Sequence, residues 1–410
     1  MPHVPIATML ANSPPLPLII EDIYRDRNIT AKQEEGIFLA LRQRKRVRRI
    51  RISVPDWDHS RRKKLIKAID NEFPMLEHFY IARSFTRHLS GEFSGLILPD
   101  RFRAPHLRHL VLFSLSLSIK SPLITTAVGL VTLSLLLYPP YNLFHPNDLL
   151  QSVSLMPQLE TLDFGSAVFG GYLESQLMQM PITSYAALPK LRWFRFYGSS
   201  DYLEALLPWI GAPLLDKLQL GFFDDLSFPL PELFHFVSRA ENLRCGSAKL
   251  SFFPRAVIMR VRPCEGAKVH TIKTNFSCSH AEQQMSSAAR ICSALRTPLS
   301  EMEYLSLQCV ISPTPFDGTN RQQCREILRS FSNLKTLRVS TGLVREVSNA
   351  LQSRDGESSI ELLPELRELA CSWNDYTYSS FAPFIAARQS AGCPVTLVHL
   401  QIPLFKGHKQ

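Results

Sequence analysis

The sequence predicts an α/β solenoid, a chain of short strands and helices stacked unit upon unit, and three observations lead there. A six-residue pattern, apolar at its first, fourth and sixth positions, recurs along the 410 residues. Its copies keep a near-regular separation. The spacers between them hold helical patterns and turns, with 29 prolines against 17 glycines, a mixture suited to many short elements. With 45% apolar residues the chain can bury a large core, which argues against widespread disorder.

The elements follow in order. Leu16-Pro-Leu-Ile-Ile20 reads as a first strand or cap, and Gln33 to Arg46 as a helix with Ile37, Ala40 and Leu41 on one face. Val47-Arg-Arg-Ile50-Arg-Ile52 and Leu76-Glu-His-Phe79-Tyr-Ile81 open the series. Copies starting at Leu107, Leu130, Leu159, Leu191 and Leu215 continue it, and those at Met302, Leu334, Leu366 and Val395 complete it. Adjacent starts lie 23 to 32 residues apart within each run. Leucine-rich repeats have periods of about 20–29 residues, and eleven copies in phase match that class. In each strand the fourth and sixth residues share one face and bury together. No unit closes a core alone, so neighbours stack. Helices are expected behind Asn147 as cap and over Arg321 to Phe331, Val344 to Leu351 and Ser380 to Ala387.

Between 243 and 301 the pattern degrades. Leu243-Arg-Cys-Gly-Ser-Ala and Val269-His-Thr-Ile-Lys-Thr read as damaged copies that keep the solenoid continuous, followed by a helix over about 280–295. The expected organisation is a capping strand and helix over 1–46, leucine-rich repeats over 47–242, irregular repeats over 243–301, and repeats with a cap over 302–410. About 13–14 irregular repeats would form a curved parallel sheet on the concave side with helices on the convex side.

The net charge of +10 is uneven: residues 1–110 hold 20 Lys/Arg and 12 Asp/Glu. A basic end favours an acidic partner. The run Arg42-Gln-Arg44-Lys45-Arg46-Val-Arg48-Arg49-Ile-Arg51, with Arg61, Arg62, Lys63 and Lys64, reads either as a basic helix end running into a strand or as a nuclear-import or phosphate-binding patch. No RNP-type motif or helix-turn-helix accompanies it, so no specific nucleic-acid partner is expected. All eight cysteines lie between Cys245 and Cys393 without a CxxC spacing, which fits buried thiols in a reducing compartment, cytoplasmic or nuclear. The N-terminus lacks a signal-peptide pattern, so the triplets at Asn28 and Asn275 are not read as glycosylation sites. Ser121 to Phe144 carries no charge, but Pro122, Gly129, Pro139 and Pro140 and its strand-like centre assign it to the core rather than to a membrane.

Catalytic signatures are missing: there is no GxSxG elbow, Walker loop, GxGxxG or HExxH. Cys264, His270, Cys278, His280 and Cys292 cluster in sequence, but a single Cys-x-His lacks the paired spacing of a zinc module. No enzyme activity, metal or cofactor is expected. The third, fifth and seventh residues of each copy point to the concave face, the ligand surface of a solenoid. Among them Arg49, Arg51, Tyr80, Trp193, Arg195, Tyr197, Lys217, Tyr304 and Arg338 are the candidate protein-binding residues, since Trp, Tyr and Arg dominate interface energies. His78, His109 and Asp163 share those positions.

Pro105-His-Leu-Arg-His-Leu-Val-Leu, Ser121-Pro-Leu-Ile-Thr-Thr-Ala-Val-Gly-Leu-Val-Thr-Leu and Leu155-Met-Pro-Gln-Leu-Glu-Thr-Leu resemble the repeats of fungal F-box and leucine-rich-repeat proteins. Met9-Leu-Ala-Asn-Ser-Pro-Pro-Leu-Pro-Leu is similar to the segment that follows the F-box there. The resemblance implies a substrate receptor of a cullin-type ubiquitin ligase, whose F-box docks to an adaptor while the repeats hold the substrate. No Leu-Pro-x-Glu-Leu-type helix precedes the first copy, so no adaptor-contact residue carries over. The expectation is therefore a non-catalytic protein-binding scaffold, either part of such a receptor or free-standing.

Overall fold

A computed structural model describes residues 6–12, 14–21, 30–54, 59–83, 96–113, 115–137, 144–166, 181–223, 225–243, 245–263, 271–278, 280–310, 316, 319–352, 361–371 and 375–399. Proline sets the turn that precedes many of the strands. Ala104-Pro105, Met156-Pro157, Leu188-Pro189 and Leu363-Pro364 put proline second in a four-residue turn, where its fixed φ is already the one required. The turn closes when the first leucine of the six-residue pattern donates to the carbonyl three residues back. Leu107 N–H reaches Ala104 at 3.0 Å, Leu159 reaches Met156 at 3.1 Å, and Leu191 reaches Leu188 at 3.1 Å. The chain then hooks onto its neighbour: the Glu77 carbonyl accepts from both Arg108 and His109 at 2.9 Å. Repeating this contact sets the strands side by side in register.

The chain divides into two compact units. The first comprises residues 1–198 and 208–214. Its main sheet runs β1 (Leu18–Glu21), β2 (Val47–Val54), β3 (His78–Arg83), β4 (His109–Phe113), β5 (Thr132–Leu137), β6 (Thr161–Ser166) and β7 (Trp193–Gly198), in chain order and all parallel. Phe79, Leu110, Leu133, Leu162 and Phe194 occupy one row across β3–β7, and all are buried. A helix over Ala31–Arg42 links β1 to β2; it starts with a Thr30–Gln33 capping box and ends four residues short of the expected boundary. In the helix over Pro146–Ser154 the cap is His145, whose Nδ1 accepts from Asn147 N–H, rather than Asn147 itself. Asn147 Oδ1 instead accepts from Thr183 and Ser184 N–H at 3.0 Å each.

The second unit comprises residues 199–207 and 215–410. Its strands are β8 (Lys217–Phe222), β9 (Ser247–Phe253), β10 (Ala256–Arg262), β11 (Ile272–Ser277), β12 (Tyr304–Cys309), β13 (Thr336–Val339), β14 (Glu368–Cys371) and β15 (Thr396–His399). Their spatial order is β8-β11-β10-β9-β12-β13-β14-β15. The expected continuous parallel stack fails within 243–301. A two-residue turn at Pro254-Arg255 joins β9 to an antiparallel β10, and β11 returns beside β8. The Val269 copy keeps its frame, with Ile272 opposite Leu218. The Leu243 copy does not: Ala248 and Leu250 stand opposite Leu305 and Leu307, so the frame begins two residues later, at Cys245. The last copy slips by one, with Leu397 opposite Leu369, so His399, the fifth residue of that copy and expected on the concave face, stands opposite buried Cys371 instead.

Helices over Ala281–Ala294, Arg321–Arg329, Val344–Leu351 and Asp375–Ser390 fill the spacers of this unit. Buried Arg388 donates to the carbonyls of Leu363, Pro364, Leu366 and Cys393, tying the final helix to the turn before β14. Ser121 to Phe144 contains a short helix (Pro122–Thr125) and β5, and among the described residues no helix is long and apolar enough to cross a membrane.

Candidate functional site

Strand alternation builds the candidate surfaces. In β7 the side chains alternate half-buried and buried from Trp193 to Gly198, and β4 repeats the pattern. One face of each strand is core; the other presents the third and fifth residues of the copy. The structure places all nine candidates on strands, six in the first unit and Lys217, Tyr304 and Arg338 in the second.

Within the first unit, Arg49, Arg51 and Tyr80 meet in one depression of about 300 Å³, with His78, His109 and Thr132 also lining it. Glu21 holds Arg49 at 3.2 Å. The Arg51 guanidinium lies over the Tyr80 ring, 5.2 Å from its centroid. His78 and His109, opposite each other on β3 and β4, stack with centroids 4.4 Å apart and planes within 4°. His109 Nδ1 is 3.1 Å from the Thr132 hydroxyl. Partial burial, then neighbouring cations, lowers both imidazoles from their ordinary value: His109 and Arg49 act on His78, and Arg108 and Arg49 on His109. Both rings favour the neutral form, which lets them stack face to face.

A second cluster lies on β5–β7. Arg195 Nη1 donates to Asp163 Oδ2 at 3.0 Å, and Ser134 donates to the same oxygen at 2.8 Å. The guanidinium also covers the Trp193 ring at 4.4 Å. Asp163 is buried, which raises its pKa, while Arg195 and Ser134 oppose that rise. Arg195 is thus committed to holding the sheet face as well as presenting it. Tyr197 stands opposite Gly165, where φ is +153° and a Cβ would come within 2.2 Å of the Tyr197 carbonyl oxygen.

The basic run divides among structural tasks. Arg42 ends its helix, Arg46 donates to the carbonyls of Pro14 and Leu16, Arg44 to Asn71, and Arg48 pairs with Glu77 at 2.9 Å. Of the Cys/His cluster, Cys264 and His270 lie outside the described residues. Cys278 and Cys292 are buried, and burial pushes their thiols up to about 11 and about 12, so neither is a ready thiolate. His280 is exposed and caps a helix. Asn28 lies outside the described residues, and Asn275 sits within β11.

In the second unit, Arg338 stands opposite Ser306, which stands opposite Lys249; Arg260 and Lys273 extend the row. Lys249 and Lys273 fall at presented positions of the two damaged copies, where sequence reasoning passed them over, and Arg260 was missed because β10 was not foreseen. The signal was present in Val257-Ile-Met-Arg260-Val-Arg262, an alternating stretch with cations on its polar face.

No protein-family model matches the chain, and no curated protein sequence does either. The fold and these surfaces define an α/β chain of stacked, mostly parallel strands, each with one buried and one presented face.

Proposed function

We propose that the chain is a non-catalytic, leucine-rich-repeat-type scaffold that holds a protein partner on the presented faces of its strands. The observation that carries this reading is the first-unit depression. Arg51, Tyr80, His78 and His109 are large planar groups, each fixed by a neighbour without being buried. Side chains pre-set in this way lose little freedom on contact, which favours binding.

Affinity purification with the whole chain, followed by mass spectrometry, tests the reading against Arg51→Ala/Tyr80→Ala. Proteins retained by the parent and lost by the variant, with an unchanged circular dichroism spectrum, are the expected outcome. The same proteins retained by both would overturn it. The resemblance to fungal F-box repeat proteins extends the proposal to substrate recognition for a cullin-type ubiquitin ligase, with a free-standing scaffold as the alternative. Pull-down with a purified cullin adaptor separates them: association supports the ligase reading, and its failure leaves the free-standing scaffold.

A further inference from the structure

The hairpin of the second unit gathers cations that the sequence keeps apart. Lys249, Arg260 and Lys273 are 11 and 13 residues apart in the chain, yet stand opposite one another on adjacent strands. Ser306 continues the row beyond Lys249, and Arg338 lies beyond Ser306. With strands ~4.8 Å apart, the three adjacent cations span ~10 Å and the row to Arg338 ~19 Å. Arg262 stands in the neighbouring row, opposite Ser247. Alternation puts them all on the presented face.

Among the described strand residues of that face the only carboxylate is Glu368, one row over and opposite Thr336. No ion pair joins any described carboxylate to Lys249, Arg260, Arg262, Lys273 or Arg338. Partial burial lowers the pKa of Lys249, and Arg260, Arg262 and Arg338 lower it further. Like charges across strands are destabilising, so an arriving anion relieves a repulsion already present. Ser306, between Lys249 and Arg338, is buried. Among the described residues its hydroxyl, like that of Ser251 one row away, has no hydrogen-bond partner.

We propose that the row formed by Lys273, Arg260, Lys249, Ser306 and Arg338 binds an acidic segment of a protein partner. This rests on the reading of the presented faces as binding surfaces and supplies the partner's chemistry. Successive bases of a single-stranded nucleic acid need a series of aromatic platforms. Beside this row stand Ser247, Ser251, Ile258 and Asn275, with Tyr304 a single ring.

The test uses the whole chain and fluorescence anisotropy with three labelled probes: a decapeptide of aspartate and glutamate, its asparagine and glutamine counterpart, and a ten-nucleotide oligothymidine. The acidic peptide should bind and the amide peptide should not. Lys249→Gln/Arg260→Gln/Lys273→Gln should weaken binding about tenfold, the sum of three solvent-facing charge contacts. Neutralising exposed Arg101, Arg103 and Arg108 of the first unit in the same way should leave binding unchanged. Should the triple variant lose its circular dichroism spectrum, Arg338→Gln alone decides, with an expected loss of about twofold or more. Parent-like binding by a folded row variant, an equal loss in the first-unit control, or tighter binding of oligothymidine through the same residues each overturns the proposal. So does failure of the parent to bind the acidic peptide. The scaffold reading would survive that failure if captured proteins still depend on Arg51 and Tyr80.

Discussion

Among the described residues, the presented face of the first unit carries three strand arginines, and each has a partner: Arg49 has Glu21, Arg51 has the Tyr80 ring, and Arg195 has Asp163 and Trp193. The corresponding face of the second unit carries Lys249, Arg260, Lys273 and Arg338 with no ion pair among the described residues. The same alternation of buried and presented positions builds both faces. What differs is the group within reach on the neighbouring strand. Where a strand neighbour supplies a carboxylate or a ring, the cation becomes part of the fold. Where it supplies another cation or a serine, the charge is left without an ion pair among the described residues.

The comparison can be broken first at Gly165. Gly165→Ala forces a side chain onto the Tyr197 backbone and a strained φ on the new residue, so unfolding in urea should show a loss of about 3–4 kcal/mol. Gly129→Ala, with open space around it, serves as the control. A next test sets Asp163→Ala against Lys249→Ala. The first strands a half-buried guanidinium and should cost about 2–3 kcal/mol. The second removes a repelled charge and should stay within about 0.5 kcal/mol, on the stabilising side. Equal costs would mean that the two faces do not differ in this way.

The smallest effect sharpens the description of the first face. Folding lowers the pKa of His78 and His109, so below the ordinary imidazole value the unfolded chain takes up protons that the folded chain does not. Their stabilising contribution is whole above that value and declines as pH falls through the window between the ordinary and lowered values. Between pH 7.5 and 5.5 the parent should lose about 1–2 °C of Tm more than His78→Asn/His109→Asn does. An identical decline in both proteins would remove the stacked pair from the account.

Much of this architecture was legible in the sequence because strand alternation and the proline turn are local signals. Leu107, Leu159 and Leu191 announce both the turn they close and the strand they enter. Strand direction is not a local signal. Ala256–Arg262 alternates as well as any parallel strand, and nothing in its own residues says that it runs backwards. The frame of β9 was lost for a related reason: Leu243 is a better first leucine than Cys245, and only the opposing Leu305 and Leu307 choose between them. That Arg51, Tyr80 and Trp193 stand on strands follows from their positions in the copies. That Arg195 is tied to Asp163 does not, since the two lie 32 residues apart and meet only through strand register.

The reversed order of the second unit also sets a schedule for synthesis. Ser247–Phe253 and Ala256–Arg262 are joined by two residues and can pair as soon as both have emerged, on the microsecond scale of hairpins. Lys217–Phe222 must wait for Ile272–Ser277, its neighbour in this unit, which at translation rates is a delay of about 3–10 s. That strand carries apolar Leu218, Leu220 and Phe222 on one side. Within this unit the hairpin can therefore pair before Lys217–Phe222 gains Ile272–Ser277 as its neighbour.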